Sequence, residues 1–257
     1  MNHKSAKPSH YDKESEYYDS FIEKSSQDTN QLIENILKKY KVKTVLDLTC
    51  GTGSQVFYLA KRGYKVTGSD FNLKMLNIAK SKARKEKLDI KFLQGDMRTQ
   101  NAGRFDAVIT IFNAVGHLTK RGFEKAMRNI GENLKDGGLY VFDINNLAYL
   151  LKDNQITNLT MDRQVMTDDT KIRETQYSTI DEDGILASYT IYSEQKGSNK
   201  PKIFKSSQTL QVYSAKQLRE MLQKNGFKVL SQYGIDGSKF DEFKSDRILT
   251  IAQKISG

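Results

Sequence analysis

Short apolar segments alternate with helical patterns through the middle of the chain, and this alternation limits the possible fold more than any other feature of the sequence. The apolar segments cover residues 44–48, 65–69, 90–93, 105–112 and 139–142. Helical spacing of apolar residues marks 55–62, 73–85 and 123–134 between them. Strands that alternate with helices form a parallel sheet through right-handed crossovers, with helices on both faces. The strand over 105–112 is apolar almost throughout, which predicts burial on both faces.

The pattern changes after residue 151. From residue 155 to 213 side-chain character alternates with a period of two, which predicts an antiparallel β insertion attached to the main sheet after its fifth strand. The Asp181–Gly184 cluster predicts a hairpin turn within this insertion. Further upstream, Gly137 and Gly138 predict the end of the helix over 123–134.

A helix and two closing strands are expected after the insertion. Ser214, with Gln217 three residues later, predicts a capping box for a helix over 215–224. Apolar segments at 227–232 and 248–254 predict the closing strands. The predicted fold class is therefore α/β, with a doubly wound, seven-stranded, mostly parallel sheet and an antiparallel insertion after the fifth strand.

These changes of pattern predict four regions. They are an N-terminal tail and helical lid over 1–40, a ligand-binding core over 41–154, the β insertion over 155–213 on the substrate side, and a C-terminal part of the core over 214–257. Residues 1–9 are polar and predict a mobile tail. Residues 11–37 carry apolar side chains at helical spacing and predict a helix.

Composition excludes several classes of protein. No run of 18 apolar residues occurs in the 257-residue chain, which argues against a membrane-spanning helix, and the polar N-terminus argues against a secretory signal. The one cysteine, Cys50, excludes an intrachain disulfide and argues against a Cys-based zinc site. The net charge of +10 is spread along the chain, which favours solvated lysine-rich faces over a nucleic-acid surface. We expect a cytoplasmic protein.

A glycine turn followed by an acidic residue is the strongest functional signal. The first strand ends in Asp47, the turn covers Cys50–Gly53, and the second strand ends in Asp70, 17 residues after Gly53. Gly51 and Gly53 permit positive φ and let a ligand approach the backbone closely. A carboxylate at Asp70 can accept hydrogen bonds from both hydroxyls of a ribose. The segment therefore predicts a site for an adenosine-type nucleoside.

Two classes of ligand use such a segment. Dinucleotides require a third glycine, and Val56 occupies that position. Asp47 would also repel a pyrophosphate, whereas it suits a ligand that carries an ammonium group, such as S-adenosylmethionine. A non-catalytic module that binds a nucleoside or NAD stays open as an alternative.

Together with Gly95-Asp96-Met97-Arg98 and the apolar strand that leads to Asn113, this segment resembles the class I S-adenosylmethionine-dependent methyltransferases, which have a Rossmann-like fold. The resemblance runs from Tyr11 to the C-terminus and is most specific over 44–118. Within the family the chain is most similar to N-methyltransferases that act on amino sugars or glycine. That similarity includes the tyrosine and aspartate pattern at Tyr11, Asp12, Tyr17, Tyr18 and Asp19, the Asn113-Ala-Val-Gly-His-Leu segment, and the antiparallel insertion.

The resemblance implies S-adenosylmethionine as cofactor and S-adenosylhomocysteine as product. It implies that the cofactor is bound by Tyr17, Asp47, Thr49, Cys50, Gly51, Gly53, Asp70, Phe71, Asp96, Met97 and Asn113. Asp47 would order water or the methionyl ammonium, and the backbone of Gly51 and Gly53 would line the methionyl part. Asp70 would hold the ribose. Thr49 departs from the family pattern, because many members have a glycine there.

The remaining cofactor roles concern the adenine and the sulfonium. Phe71 and Met97 would pack against the adenine ring, and Asp96 would accept from its amino group. Asn113 would lie beside the sulfonium. Tyr17 or Tyr18 would reach the methionyl carboxylate or close over the substrate.

Tyr18 and His117 are the candidate catalytic residues, and Arg247 is the candidate substrate-binding residue. His117 follows the fourth strand, on the side where ligands bind an open α/β sheet. Its ordinary pKa of about 6.5 suits removal of a proton from an amine, and the alternative is a helix cap or packing role. Arg247 would favour a carboxylate or phosphate on the substrate, and the alternative is a structural ion pair with Asp246.

The acceptor is expected to be a small molecule. The segment after the fourth strand is Phe112-Asn113-Ala114-Val115 and lacks the proline-containing motif of enzymes that methylate a flipped DNA base. The charge of +10 keeps an RNA methyltransferase of another kind open. No carboxylate cluster beyond Asp143 supports metal-dependent O-methylation, so we expect no metal. The sequence therefore predicts a methyltransferase directed at nitrogen, acting as a monomer or homodimer and without a membrane partner.

Overall fold

The computed structural model describes residues 1–12, 15, 18–152, 158–167 and 169–255. The strands are β1 (Thr44–Asp47), β2 (Lys65–Asp70), β3 (Lys91–Gln94), β4 (Phe105–Thr110), β5 (Leu134–Asn145), β6 (Asn158–Thr167), β7 (Thr170–Ile180), β8 (Ile185–Lys196), β9 (Lys202–Gln211), β10 (Phe227–Gly234) and β11 (Arg247–Lys254). The helices are α1 (Tyr18–Lys39), α2 (Ser54–Ala60), α3 (Leu73–Glu86), α4 (Lys120–Glu132), α5 (Leu147–Leu151) and α6 (Ala215–Lys224), with a 3₁₀ helix over Ala114–His117. Within the described ranges no helix is both long and apolar enough to cross a membrane.

Seven strands form the main sheet in the order β10-β11-β5-β4-β1-β2-β3. The pairs among β1 to β5 are parallel, whereas β11 is antiparallel to both β5 and β10. The chain starts in the middle of the sheet at β1, extends outward through β2 and β3, and returns to the other side at β4. This arrangement confirms the predicted doubly wound, mostly parallel sheet.

Alternate residues of the central strands pack into two cores on opposite faces of the sheet. Val108 of β4 and Phe142 of β5 belong to one core, and Ile109 and Val141 belong to the other. All four side chains are fully buried. A strand covered by helices on both faces is apolar at successive positions, which explains the continuous apolar pattern of β4.

The glycine pair at residues 137 and 138 does not end a helix. Helix α4 already ends at Glu132, and Asn133 caps it by donating its side-chain amide to the carbonyls of Gln100 and Asn129, both at 2.8 Å. Gly137 and Gly138 lie inside β5, where the pairing with β4 is irregular between Phe105 and Ala107. The glycines therefore lie in an irregular part of β5 and do not end a helix, so the predicted helix stop is wrong.

The insertion forms a sheet of its own. Strands β6 to β9 pair as an antiparallel meander in chain order, with the predicted turn at Asp181–Gly184 between β7 and β8. The expected attachment to the main sheet is wrong: the junction shows a single isolated bridge between Asn146 and Tyr213. Strand β5 is already paired with β4 on one side and β11 on the other, so the following chain has no free edge to join there.

The N-terminal segment, residues 1–12, packs against the rest of the protein, which contradicts the expected mobile tail. The Ala6 N–H donates to the carbonyl of His117 at 2.9 Å, and His10 Nε2 lies 2.8 Å from Oε1 of Gln208 on β9. Asn72 donates its side-chain amide to the carbonyl of Pro8 at 2.7 Å. Tyr11 and Asp12, which were expected to begin the first helix, lie in turns, and the described part of that helix is Tyr18–Lys39.

The capping box of α6 tests the local stability of this fold. Ser214 accepts from the Gln217 N–H at 3.2 Å, and Gln217 accepts from the Ser214 N–H at 2.8 Å. We expect Ser214→Ala to lower the free energy of unfolding by about 1 kcal/mol, because it leaves a helix N–H without its partner. Urea unfolding measures the change. Lys216→Ala, at an exposed position of the same helix, is the control, and an equal loss in both variants would contradict the assignment.

Candidate active site

A partly open cavity of about 110 Å³, here called the inner cavity, lies where the carboxyl ends of β1, β2 and β4 meet. The predicted site residues that line it are Tyr18, Thr49, Gly51, Asp70, Phe71, Asp96, Met97 and His117. Residues of the N-terminal segment form part of its wall. The structure thus brings many of the predicted ligand-binding residues to one place, and residues 6–8, 10 and 11, most of which were expected to form a mobile tail, line the same place.

Asp70 connects the glycine turn to the end of β2. Its Oδ2 accepts the Gly51 N–H at 2.7 Å, and its Oδ1 accepts the Asn72 N–H at 2.7 Å. Burial raises the pKa of Asp70, although the backbone hydrogen bonds from Asn72, Gly51 and Phe71 act in the opposite direction. A carboxylate held by backbone donors faces the cavity with a defined orientation.

Asp47 lies beneath the turn and does not line the inner cavity. Its side chain is 1% exposed; Oδ1 accepts the Thr49 N–H at 3.1 Å, and Oδ2 has no hydrogen-bond partner among the described residues. Burial raises the pKa of Asp47 to about 8, the Thr49 N–H partly offsets this, and the charge of Asp70 adds to it. The orphaned oxygen marks a place where a donor or a positive charge would be stabilised.

The backbone of the turn explains how Thr49 replaces a glycine. Gly51 and Gly53 have φ of 52° and 96°, whereas Thr49 is absent from the described residues with positive φ. The left-handed positions therefore fall on the glycines. At Gly53 a Cβ atom would lie 2.5 Å from the Phe57 ring, so a side chain is excluded there by space as well as by φ.

Like Asp47, the predicted cofactor residues Cys50, Gly53 and Asn113 do not line the inner cavity. The Cys50 side chain packs with Val56 and Leu76 in a small apolar cluster, and its N–H donates to the carbonyl of Ser69 at 2.9 Å. Burial raises the pKa of its thiol well above the usual value. Cys50 is therefore a packing residue, because a buried thiol in apolar surroundings is a poor nucleophile.

Asp96 is paired within its own turn. Arg98 Nε donates to both carboxylate oxygens, at 2.9 and 3.0 Å, and Arg98 Nη2 donates to Oδ2 at 2.5 Å. Burial raises the pKa of Asp96, but the Arg98 guanidinium outweighs it and the pKa is lowered. The carboxylate is thus ionised at the cavity wall and keeps lone pairs for a further donor.

A second, larger space of about 560 Å³, here called the outer cavity, lies between the ends of β4 and β5 and the inner face of the four-stranded sheet. Four side chains line both cavities: Tyr11, Tyr18, Phe112 and His117. We call these four residues the shared wall. These four side chains would therefore border both a ligand in the inner cavity and a ligand in the outer cavity.

His117 is buried within the shared wall. Its Nε2 lies 2.8 Å from the Tyr11 hydroxyl, its ring lies 5.0 Å from that of His10, and its Nδ1 is an orphan among the described residues. Burial lowers the pKa of His117 to about 3, and His10 and His3 add to this. The buried imidazole therefore stays neutral near pH 7, with a pKa below the ordinary value that the expected role as a base assumed.

Tyr18 begins α1 and packs edge-on against Tyr11, with ring centroids 5.8 Å apart. Burial and the charge of Asp70 raise the pKa of its hydroxyl, so it is a neutral hydrogen-bonding group. The next residue, Asp19, accepts from Thr52 of the glycine turn at 2.5 Å and also pairs with Lys82 of α3. Tyr17, the other predicted tyrosine, lies outside the described residues.

Asn113 and Arg247 line the outer cavity but are engaged with the protein. Asn113 exchanges two hydrogen bonds with Asn145, at 2.6 and 2.9 Å. Arg247 pairs with the fully buried Asp143, so the structural alternative of a pair with Asp246 is wrong. Asp143 balances the guanidinium charge, while the buried Nε of Arg247 has no hydrogen-bond partner among the described residues.

Other residues of the outer cavity were missed by the sequence analysis. Glu174, Gln176 and Ser178 occupy alternate positions of β7 and therefore share the face that lines the cavity. Glu174 accepts from Arg163 at 2.6 Å and from Tyr192 at 3.2 Å. Polar residues at every second position, in line with the apolar Ile172, were a usable signal in the sequence, since the core-facing side of an ordinary strand would be apolar throughout.

Residues 45–138 match the family model described as a methyltransferase domain. Rabbit (Oryctolagus cuniculus) glycine N-methyltransferase is 29% identical over 133 residues, covering 45% of each chain. The dTDP-3-amino-3,4,6-trideoxy-alpha-D-glucopyranose N,N-dimethyltransferase of Streptomyces venezuelae is 33% identical over 105 residues, covering 40% of this chain and 43% of that one. The chain spans only 41–54% of the length of the first curated relatives it matches.

The whole fold is shared with a solved structure. The crystal structure of an S-adenosylmethionine-dependent methyltransferase from Clostridium acetobutylicum superposes with a TM-score of 0.78 at 21% identity, covering 96% of this chain and 99% of that one. The fold is therefore that of the class I methyltransferases. Residues 45–138, which carry much of the inner cavity, match the methyltransferase domain model, and the resemblance drawn from the sequence is confirmed.

The raised pKa of Asp47 gives a pH test of stability in the ligand-free protein. The folded pKa of about 8 lies above the ordinary value of 3.8, so the folded state binds the extra proton between these values and stability falls as pH rises. We expect Asp47→Asn to remove this fall. Urea unfolding from pH 4.5 to 8 compares it with wild type and with Ser69→Ala, a neutral neighbouring change that should keep the wild-type trend. If the stability of Asp47→Asn falls with rising pH as much as that of the wild type, the raised pKa of Asp47 is contradicted.

The lowered pKa of His117 can be measured directly. We expect the His117 imidazole to show no titration by NMR above pH 5, because its folded pKa is about 3. The unfolded value of about 6.5 is higher, so this residue costs stability as pH falls from 6.5 towards 3. The His117→Gln variant assigns the resonance. A His117 midpoint near pH 6.5 in the folded protein would contradict this account.

Proposed function

We propose that the protein is an S-adenosylmethionine-dependent methyltransferase that transfers a methyl group to an amine nitrogen of a small molecule. The observation that carries the proposal is the shared wall, because Tyr11, Tyr18, Phe112 and His117 border both an inner cavity beside the glycine turn and a larger polar outer cavity. Two cavities that meet at one wall suit a donor and an acceptor that react across it.

The residues of the inner cavity fit S-adenosylmethionine. Asp70 is oriented by two backbone N–H groups and would hold the ribose hydroxyls. Asp47 keeps a buried oxygen without a partner among the described residues and would stabilise the methionyl ammonium, directly or through water. Phe71, Asp96 and Met97 line the cavity and would contact the adenine. When bound, the cofactor supplies a methyl group that its sulfonium activates towards an in-line displacement.

The protein's own part in such a reaction is orientation and exclusion of water. Holding two reactants in line can lower a barrier by about 7–11 kcal/mol. The N-terminal segment and Tyr18 close the inner cavity from the solvent side, and their positions are held by His117, Asn72 and Thr52. His117 then acts as a neutral partner of the Tyr11 hydroxyl rather than as the base of the reaction.

The polar lining of the outer cavity supports the proposal that the methyl acceptor is a small polar molecule. Glu174, Gln176 and Ser178, at alternate positions of β7, line this cavity. Groups that both donate and accept suit a ligand with several hydroxyl or amine groups. The names of the two relatives, which act on glycine and on an amino sugar, support nitrogen as the methyl acceptor.

In this proposal residues 1–40 form the lid, residues 41–154 with 214–257 bind the cofactor, and residues 155–213 form the acceptor side.

Calorimetry tests the cofactor part of the proposal. We expect S-adenosylmethionine and S-adenosylhomocysteine to bind and NAD to bind far more weakly. Asp70→Asn should weaken cofactor binding by roughly 10- to 100-fold, since a hydrogen bond to a charged acceptor contributes about 1.5–3 kcal/mol. Asp162→Asn, on the exposed side of β6, is the control and should leave binding unchanged. Tight binding of NAD without binding of S-adenosylmethionine, or unchanged affinity in Asp70→Asn, would contradict the proposal.

A further inference from the structure

Two consecutive residues after β4 adopt the left-handed conformation although neither is glycine. Phe112 has φ of 63° and Asn113 has φ of 59°. Side chains other than glycine, and bulky ones such as phenylalanine above all, disfavour this conformation. Backbone strain of this kind persists only where the surrounding structure holds it in place, and it concentrates at functional sites. The Phe112–Asn113 turn therefore needs an explanation.

A buried carboxylate on the neighbouring strand holds this turn. Asp143 of β5 is 0% exposed; its Oδ1 accepts the Phe112 N–H at 2.6 Å, and its Oδ2 accepts the Asn113 N–H at 3.3 Å. Arg247 of β11 donates to the same Oδ2. A carboxylate has lone pairs enough for all three donors, and the guanidinium compensates its buried charge.

Asn145, two residues further along β5, completes the support. Its N–H donates to Oδ1 of Asn113 at 2.6 Å, and its Oδ1 accepts from the Asn113 side-chain amide at 2.9 Å. Residues two apart on a strand lie on the same face. Asp143 and Asn145 thus hold the backbone and the side chain of the turn, respectively.

The position of the turn links this support to the proposed reaction. Phe112 belongs to the shared wall and lines both cavities. The Arg247 guanidinium lies 5.6 Å from the centroid of the Phe112 ring, within the range of a cation–π contact. One guanidinium therefore touches both the carboxylate that holds the turn and the aromatic ring that the turn presents.

We propose that Asp143, backed by Arg247, is a positioning residue that keeps the Phe112–Asn113 turn left-handed and so sets the place of the Phe112 ring between the two cavities. The catalytic part of this proposal rests on the proposed function, whereas the claim that Asp143 holds the turn does not. It assigns Arg247 to alignment of the shared wall instead of recognition of a substrate anion.

Asp143→Asn is the direct kinetic test. The amide keeps the size of the side chain but can no longer accept at both oxygens or balance Arg247. We expect kcat to fall by roughly 10- to 100-fold, because small misplacement of groups that align the reactants is costly, while the Kd for S-adenosylhomocysteine changes by less than about threefold because Asp143 does not line the inner cavity. Arg247→Lys should act in the same direction with a smaller effect, since an ammonium cannot match the guanidinium geometry.

Tyr140→Phe is the matched control for lost stability. Tyr140 lies on the same strand, is fully buried, and makes one hydrogen bond to Thr110 at 2.8 Å, away from both cavities. We expect it to lower the free energy of unfolding without lowering kcat. If both variants lose kcat in proportion to lost stability, Asp143 has only a structural role and the proposal is wrong.

A rescue experiment separates positioning from general damage. In the wild-type background Asn113→Gly should lower kcat, because the two hydrogen bonds to Asn145 are lost. In the Asp143→Asn background it should raise kcat by a factor of about three or more, because glycine adopts positive φ without the carboxylate's help. Equal effects of Asn113→Gly in both backgrounds would overturn the proposal.

Amide hydrogen exchange measured by NMR gives a readout that needs no activity. The N–H groups of Phe112 and Asn113 should be protected in the wild type and exchange at least about tenfold faster in Asp143→Asn, with no such change in Tyr140→Phe. Unchanged protection in Asp143→Asn would overturn the proposal even in an active enzyme. If the wild type transfers no methyl group while the exchange result holds, the proposed function fails and the role of Asp143 in the turn stands.

Discussion

The pair of hydrogen bonds that Asp70 accepts from Gly51 and Asn72 is the interaction on which the site depends. It ties the glycine turn after β1 to the tip of β2 and leaves a carboxylate at the wall of the inner cavity. The turn can make this approach because Gly51 has a left-handed backbone. Beneath the turn, Asp47 keeps a buried oxygen without a partner among the described residues, where a nearby cation would stabilise the charged carboxylate.

Other segments of the protein line the two cavities. The four-stranded sheet lines one side of the outer cavity. The N-terminal segment contacts His117 through the Ala6 N–H and contacts that sheet through His10 and Gln208. The shared wall is therefore assembled from segments that are distant along the chain. Such a site can hold two ligands together, because the side chains that border both cavities are themselves held by hydrogen bonds such as the one between Tyr11 and His117.

Local patterns predicted the features that depend on neighbouring residues. The strand–turn–strand unit, the capping box at Ser214 and the position of Asp70 follow from spacing over fewer than about twenty residues. Features that depend on distant segments were not accessible in this way. The pairing of Arg247 with Asp143 requires the register of β11 on β5, and the pKa of His117 depends on burial beneath the N-terminal segment. The β insertion forms a separate sheet because β5 already pairs with β4 and β11. No local sequence pattern shows these pairings.

The central claim is that a methyl group crosses the shared wall from the inner to the outer cavity. The most direct measurement follows isotopically labelled methyl from S-adenosylmethionine into a pool of amines, amino sugars and amino acids, with a parallel pool of RNA, and locates the label by mass spectrometry. The account predicts label on the nitrogen of a small molecule and none on RNA. Label on RNA alone, or S-adenosylmethionine that binds without transfer to any member of either pool, would contradict it.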